Sequence, residues 1–233
     1  AQWNPASDPN LPQPYSATDL AGKRAAKAAV LAQYGLPTDE ATLARPLIGM
    51  ISRMVDQKGL DLIERLAGEW PHLDASVVIL GTGEPRYQDM WRWLASSRPH
   101  QIGARIAFDE GLAHLIEGGA DLFLMPSMFE PCGLNQMYSL RYGTLPLVRH
   151  VGGLADTVVD YQPGVAGANG FAFSDYSPWV LLETIRRALA LFRHEPGTWR
   201  ALQVNGMQLD LSWDRSAREY VRLYGYALDK GRA

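Results

Sequence analysis

The sequence predicts an α/β protein: a Rossmann-like doubly wound parallel sheet with a helical C-terminal tail. Three observations carry that prediction. Short apolar runs alternate with longer stretches of helical periodicity along most of the chain. The runs are continuously apolar rather than alternating with polar residues, as strands buried on both faces require. And 233 residues with 47% hydrophobic side chains suffice for one large domain with appendages.

The elements follow in order. Residues 1–20, with "WNPASDPNLPQPYS", are Pro-rich and read as an irregular interdomain linker. "DLAGKRAAKAAVLAQYG" spaces Ala, Leu and Lys/Arg as a helix does, and Gly35 with Pro37 ends it. "PLIGMI" is then a buried strand, "KGLDLIERLAGEW" a helix, "ASVVILG" a strand and "EPRYQDMWRWLASS" a helix. The alternation continues through "ARIAF", "EGLAHLIEGG", "DLFLMP", "LNQMYSLRYG" and "TLPLV". Beyond "GFAF" the chain reads as helical: "PWVLLETIRRALALF", a shorter piece around Trp199, and "SWDRSAREYVRLYGYAL". The Rossmann-like domain is placed at 21–210 and the tail helix at 211–233. In that tail Trp213, Ala217, Tyr220, Val221, Tyr224 and Leu228 recur at three- and four-residue spacing as one apolar face.

Charge and composition narrow the function. A formal charge of -3 with no Lys/Arg block argues against nucleic acid or a membrane surface as the partner and points to small molecules. The single cysteine excludes an internal disulfide framework, and no apolar stretch is long enough for a bilayer span or a signal peptide. The expected setting is soluble and intracellular. The start at Ala1 within a Pro-rich stretch reads as a cut inside a longer polypeptide.

In doubly wound sheets ligands sit outside the carboxyl ends of the strands, so four loops matter. In "SRMVDQKG" a fixed guanidinium, Arg53, and a mobile ammonium, Lys58, suit a diphosphate; plain surface solvation is the alternative. In "LGTGEP", Gly81 and Gly83 permit close backbone approach near a nucleotide, but Arg86 stands where a dinucleotide fingerprint wants its third glycine, so a simple tight turn competes. In "FEPCGLNQ", Gly133 and Leu134 open a helix whose free N–H groups suit phosphate oxygens. Glu130, just ahead, is better used accepting hydrogen bonds from sugar hydroxyls. Cys132 has the alternative of a small buried hydrophobe. In "RHVGGLADTV", Gly152 and Gly153 make a second backbone-exposed turn, with Asp156 and Thr157 as possible caps.

"SRMVDQKGLDLI", "FEPCGLNQMYSLRYGTLPLVRHVGGLADTV" and "SWDRSAREYVRLY" together resemble the carboxyl-terminal half of bacterial glycogen synthases and plant starch synthases. The likeness runs from "WNPASDPNLP" to the end. It implies a retaining glucosyltransferase of the two-domain GT-B architecture, whose second domain binds ADP-glucose and whose first supplies much of the α-1,4-glucan acceptor groove. It implies that Arg53 and Lys58 are the cations on the donor diphosphate and that Glu130 is the acid beside the donor glucose. Amides of the turn Cys132, Gly133, Leu134, Asn135 and Gln136 would hold sugar and phosphate, and Phe108 would stack on adenine. The implied partners are ADP-glucose, the glucan and an amino-terminal domain of the same polypeptide; the implied compartment is the cytoplasm, or the plastid stroma for a plant chain.

The chain departs from the pattern in three places. Related transferases carry a second glutamate eight residues after the first, to hold the ribose, and Tyr138 stands there. Phe108 lacks the hydroxyl of the family's usual tyrosine. The family's amino-terminal Lys-x-Gly-Gly-Leu loop has no counterpart, since the one Gly-Gly-Leu, at 152–154, follows His150 where that lysine would be. No Asp-x-Asp pair is available for a metal. The expected reaction therefore needs neither metal nor cofactor: the two cations neutralise the departing diphosphate, and no carboxylate is an evident covalent nucleophile. A non-catalytic nucleotide-sugar or glucan module, or a GT-B enzyme with another donor, is the alternative. An oxidoreductase would need the completed glycine fingerprint.

Overall fold

Residues 2–230 are described by the structure, a computed structural model. In chain order the elements are α1 (Ala21–Gln33), α2 (Glu40–Ala44), β1 (Leu47–Ile51), α3 (Leu60–Arg65), β2 (Ser76–Leu80), α4 (Pro85–Ser97), β3 (Ile102–Arg105), α5 (Glu110–Gly119), β4 (Leu122–Met125), α6 (Asn135–Arg141), β5 (Leu145–Arg149), α7 (Gly152–Thr157), β6 (Phe171–Phe173), α8 (Pro178–His194), α9 (Pro196–Met207) and α10 (Trp213–Lys230). Among the described residues six strands form one sheet in the order β3-β2-β1-β4-β5-β6, and every pairing is parallel. The order reverses between β1 and β4, which opens the switch-point crevice characteristic of doubly wound sheets.

The apolar runs are explained by burial on both faces. Ile48, Met50, Val77, Ile79, Leu122 and Leu124 point into the core shared with α3, α4 and α8. Their neighbours Leu47, Val78, Leu80, Phe123 and Met125 point into the core shared with α1 and α5. Two-residue alternation thus persists, but both sides are apolar.

Helix α1 is tied to the sheet through buried lysines. Lys27 Nζ lies 2.7 Å from Asp121 Oδ2, the same oxygen that accepts from Leu47 N at 2.8 Å. Lys23 Nζ donates to Gly118 O at 3.0 Å and to Thr144 Oγ1 at 2.6 Å. Burial lowers Lys23 to about 7, against the pull of Asp121 and Glu117.

Several elements differ from expectation. Strand β3 begins and ends earlier than "ARIAF", because the Asp109 side chain accepts from Leu112 N at 2.9 Å and caps α5, drawing residues 106–109 out of the sheet. Helix α2 was not anticipated; Asp39 caps it through Thr42 N at 3.0 Å. "GFAF" supplies a sixth strand.

Residues 2–20 hold no helix or strand, yet they are more than a linker: they form a strap laid across α5 and α6. Leu11 and Tyr15 are buried, and the Tyr15 hydroxyl lies 2.8 Å from Tyr142 O. Asp8 Oδ2 accepts from the Tyr142 hydroxyl at 2.5 Å and sits 2.7 Å from His114 Nδ1. The Trp3 ring is stacked between His114 and Tyr138, at 3.6 and 4.2 Å. At the other end, α10 contains no buried residue, so Trp213, Tyr220, Val221, Tyr224 and Leu228 all face solvent. Among the described residues no helix is long and apolar enough to cross a membrane.

Candidate donor-binding site

A cavity of about 510 Å³ occupies the switch point at the carboxyl ends of β1 and β4. Chain geometry brings its walls together. Beyond β1 the pairing with β2 continues through Ser52 N to Leu80 O at 3.1 Å and Met54 N to Thr82 O at 2.8 Å, leaving Arg53 between them on the cavity wall. A 3-10 turn over Asp56–Lys58 then redirects the chain so that Lys58 reaches across the crevice.

Lys58 Nζ lies 2.5 Å from Glu130 Oε2, which also accepts from Ser127 Oγ at 3.2 Å. The cation read for phosphate and the acid read for sugar are therefore an ion pair here. The pair still has free capacity. An ammonium carries three N–H donors, so Lys58 keeps two for an anionic oxygen, and Glu130 Oε1 remains an acceptor. Among the described residues the Arg53 side chain makes one hydrogen bond, Nη2 to Gln57 Oε1 at 3.3 Å. Gln57 in turn donates through Nε2 to Phe129 O at 2.8 Å and accepts from Met128 N at 2.9 Å, which stitches the loop after β1 to the loop after β4.

The loop that carries Glu130 rests on the two glycines at the start of α7. Gly153 N donates to Glu130 O at 3.0 Å, and a Cβ at Gly153 would lie 2.0 Å from Cys132 O. Gly152 and Gly153 thus buttress the loop from behind rather than line the cavity. Gln136, fully buried, donates to Cys132 O at 3.1 Å and to Gly133 O at 3.2 Å, again from behind. Gly133, at φ +75°, Leu134 and Asn135 do line the cavity, and Asn135 Nδ2 donates to Ile51 O at 3.1 Å. Cys132 is exposed and lies off the cavity wall, so it is not the small buried hydrophobe weighed as its alternative.

Gly153→Ala is expected to lower stability by roughly 1–3 kcal/mol, the usual range for an overpacked site. It should also weaken donor binding, because the clash pushes on the backbone next to Glu130. Denaturant melts and ligand titration check this; parent-like values in both would show that the loop gives way freely.

On the opposite wall Gly81 and Thr82 come from the end of β2, and Phe108, Asp109 and Glu110 from the start of α5. Gly81 approaches so closely that a Cβ would meet Ser52 O at 1.8 Å, while Gly83 pairs with Met54 outside the cavity. Phe108 is 92% exposed and presents an aromatic face to the cavity. Trp3, Ser127, Glu117 and Thr82 also line the cavity and were not singled out from the sequence. Glu117 was detectable as a charge on the apolar face of "HLIEGG"; Trp3 offered no such signal. Among the described residues no group of three or more His, Cys, Asp or Glu side chains is placed to hold a metal ion.

Comparison with known proteins identifies the family and the fold. The family model described as glycosyl transferases group 1 matches residues 39–194. A glycogen synthase of Anaeromyxobacter sp. (strain Fw109-5) is 53% identical over 96% of this chain and 46% of its own length. A glycogen synthase of Kosmotoga olearia is 43% identical over all of this chain and 48% of its own length. The chain thus spans about half the length of the curated relatives it matches. Among solved structures, the catalytic domain of starch synthase IV from Arabidopsis thaliana, bound to ADP and acarbose, superposes with a TM-score of 0.88 at 35% identity, over 98% of this chain and 47% of that one. A sucrose-phosphate synthase from Thermosynechococcus elongatus shares the fold, with a TM-score of 0.61 at 21% identity.

Proposed function

Because the chain belongs to the glycosyl transferases of group 1, we propose that it is the donor-binding half of a glycogen or starch synthase, transferring glucose from ADP-glucose to the non-reducing end of an α-1,4-glucan with retention. The observation that carries this reading is the placement of Arg53, Lys58 and Glu130 on one wall of a switch-point cavity whose opposite wall bears the exposed Phe108. The likeness to a starch synthase domain bound to ADP and acarbose supports it.

The chemistry follows from the charges. Diphosphate lies against Arg53 and Lys58, adenine against Phe108, and the glucosyl group beside Glu130. As the bond from glucose C1 to the diphosphate oxygen lengthens, negative charge gathers on the leaving ADP. Two cations held in place beforehand stabilise that charge more than they stabilise the ground state. Glu130, fixed by Lys58 and Ser127, accepts hydrogen bonds from the sugar hydroxyls and orients C1 toward the acceptor. The acceptor groove belongs to an amino-terminal half, and the bare apolar face of α10 packs toward that half.

Calorimetry with ADP, UDP and NAD in the presence of a chelator tests the reading. ADP is expected to bind, with UDP and NAD much weaker. Equal binding of UDP, or a strict need for magnesium, would refute the donor assignment.

A further inference from the structure

Part of the cavity wall comes from the strap rather than from the sheet and its helices. Trp3 is half-buried and lines the cavity. Helices α5 and α6 both start at the cavity, α5 with Phe108 just ahead of it and α6 with Gly133 and Leu134 just ahead of it. Trp3 rests about one turn into each: its ring stacks on His114 of α5 at 3.6 Å and 9° between planes, and on Tyr138 of α6 at 4.2 Å and 5°. It therefore bridges the two helices, between the aromatic end of the cavity and the turn that opens α6. A nucleoside diphosphate laid from Phe108 to that turn carries its ribose past this place.

With aromatic rings on its faces, Trp3 has its rim left for a ligand. The rim carries one polar group, the indole N–H, which donates and cannot accept. Among the described residues that N–H has no acceptor; those of Trp91 and Trp199 lack one too, but they are sealed in the core, whereas Trp3 stands at the cavity wall. The strap is pinned on both sides of the indole. Gln2 Nε2 donates to Glu110 Oε1 at 2.8 Å, and Asp8 Oδ2 sits 2.7 Å from His114 Nδ1, the ring on which Trp3 lies. Charge then decides which oxygen the N–H meets. Asp109 and Glu110 line the cavity on the strap's side and repel a phosphate, which Arg53 and Lys58 draw to the end of β1 instead. The acceptor is a neutral oxygen, and a ribose hydroxyl is the one a nucleotide carries between its base and its phosphates.

Resting on the donor reading, we propose that the strap is the ribose-binding element of the site: the indole N–H of Trp3 donates a hydrogen bond to a ribose hydroxyl of the nucleotide. The strap is thereby part of the binding surface, and His114 and Tyr138 are positioning residues that hold the indole by its faces.

Titrating the chain with ADP, 2′-deoxy-ADP and 3′-deoxy-ADP tests this. The parent should bind at least one deoxy analogue roughly fivefold more weakly than ADP, the usual worth of one neutral hydrogen bond. Trp3→Phe keeps a ring against His114 and Tyr138 and removes the N–H. It should weaken ADP by a similar factor and bring that analogue within about twofold of ADP. A parent that binds all three alike, or a preference unchanged in Trp3→Phe, overturns the inference while leaving the donor reading intact; a parent that binds none of them overturns both. A second measurement needs no variant. Of the seven tryptophans, all among the described residues, only Trp3 lines the cavity. In the nitrogen-labelled parent one indole N–H resonance should move downfield on saturation with ADP and hold still with inorganic pyrophosphate, which has no ribose. No indole resonance moving with ADP, or the same movement with pyrophosphate, refutes the proposal even if Trp3→Phe fails to fold.

Discussion

Alanine at Arg53 or Lys58 is expected to reduce turnover a hundredfold or more in an enzyme of the relatives' full length that carries this half. Removing one preorganised group that stabilises developing charge typically forfeits ~2.7–4 kcal/mol of transition-state stabilisation. The structure separates the two variants. Among the described residues the Arg53 side chain makes a single hydrogen bond, at 3.3 Å to Gln57, so its loss should lower kcat with little change in melting temperature. Lys58 is the cation on Glu130, whose residue is 8% exposed. Lys58→Ala leaves that carboxylate buried without its counterion, and breaking a buried pair from one side costs about 3–5 kcal/mol. The lower end applies, because the Lys58 side chain is 21% exposed. Combining Lys58→Ala with Glu130→Gln should recover stability but no activity, a non-additivity that a double-mutant cycle measures directly. Parent-like turnover in either single cation variant would remove the diphosphate assignment.

The second large effect is the absence of glucan synthesis by the chain alone. ADP-glucose added with glycogen should give no incorporation of label, and incorporation should appear when an amino-terminal half from a relative is supplied. All six strands among the described residues belong to one sheet, and no second sheet among them faces the cavity to present an acceptor hydroxyl. The eighteen-residue α10, with every residue exposed, is the face proposed above to pack toward such a half. Label incorporated by the chain alone would contradict this account. Binding of the amino-terminal half that left α10 as exposed as before, by hydrogen exchange, would contradict the role given to the helix.

The sheet was legible in the sequence because strands buried on both faces announce themselves as apolar runs between helical stretches. Its least legible parts depend on single side chains or on distant partners. The end of β3 is set by the Asp109 cap, and β6 is a three-residue strand recognisable only beside β5. Arg53, Lys58 and Glu130, read as candidates from charge at strand ends, and Phe108, named from the resemblance, line one cavity. Gly152 and Gly153 looked the same as glycines that touch a ligand, since a close approach to a neighbouring loop and a close approach to phosphate make the same demand for a missing Cβ. The strap was least readable of all. Nothing in "WNPASDPN" says that Trp3 lies between His114 and Tyr138, because those partners are more than a hundred residues away.

The strand order also sets a timetable. As the chain is made, β1 pairs with β2 and β2 with β3 within a short span of sequence, while the other edge of β1 waits for β4. The bond from Leu47 N to Asp121 Oδ2 that helps close this seam joins residues 74 apart. Distant parallel pairings form slowly, because the loop entropy must be surrendered before contacts compensate for it. Until then β1 is an open edge able to recruit a strand from another nascent chain. That seam is the floor of the cavity. On the proposed donor reading, a nucleotide finds its site only once the two halves of the sheet have joined, so bound ADP would report that this seam has closed.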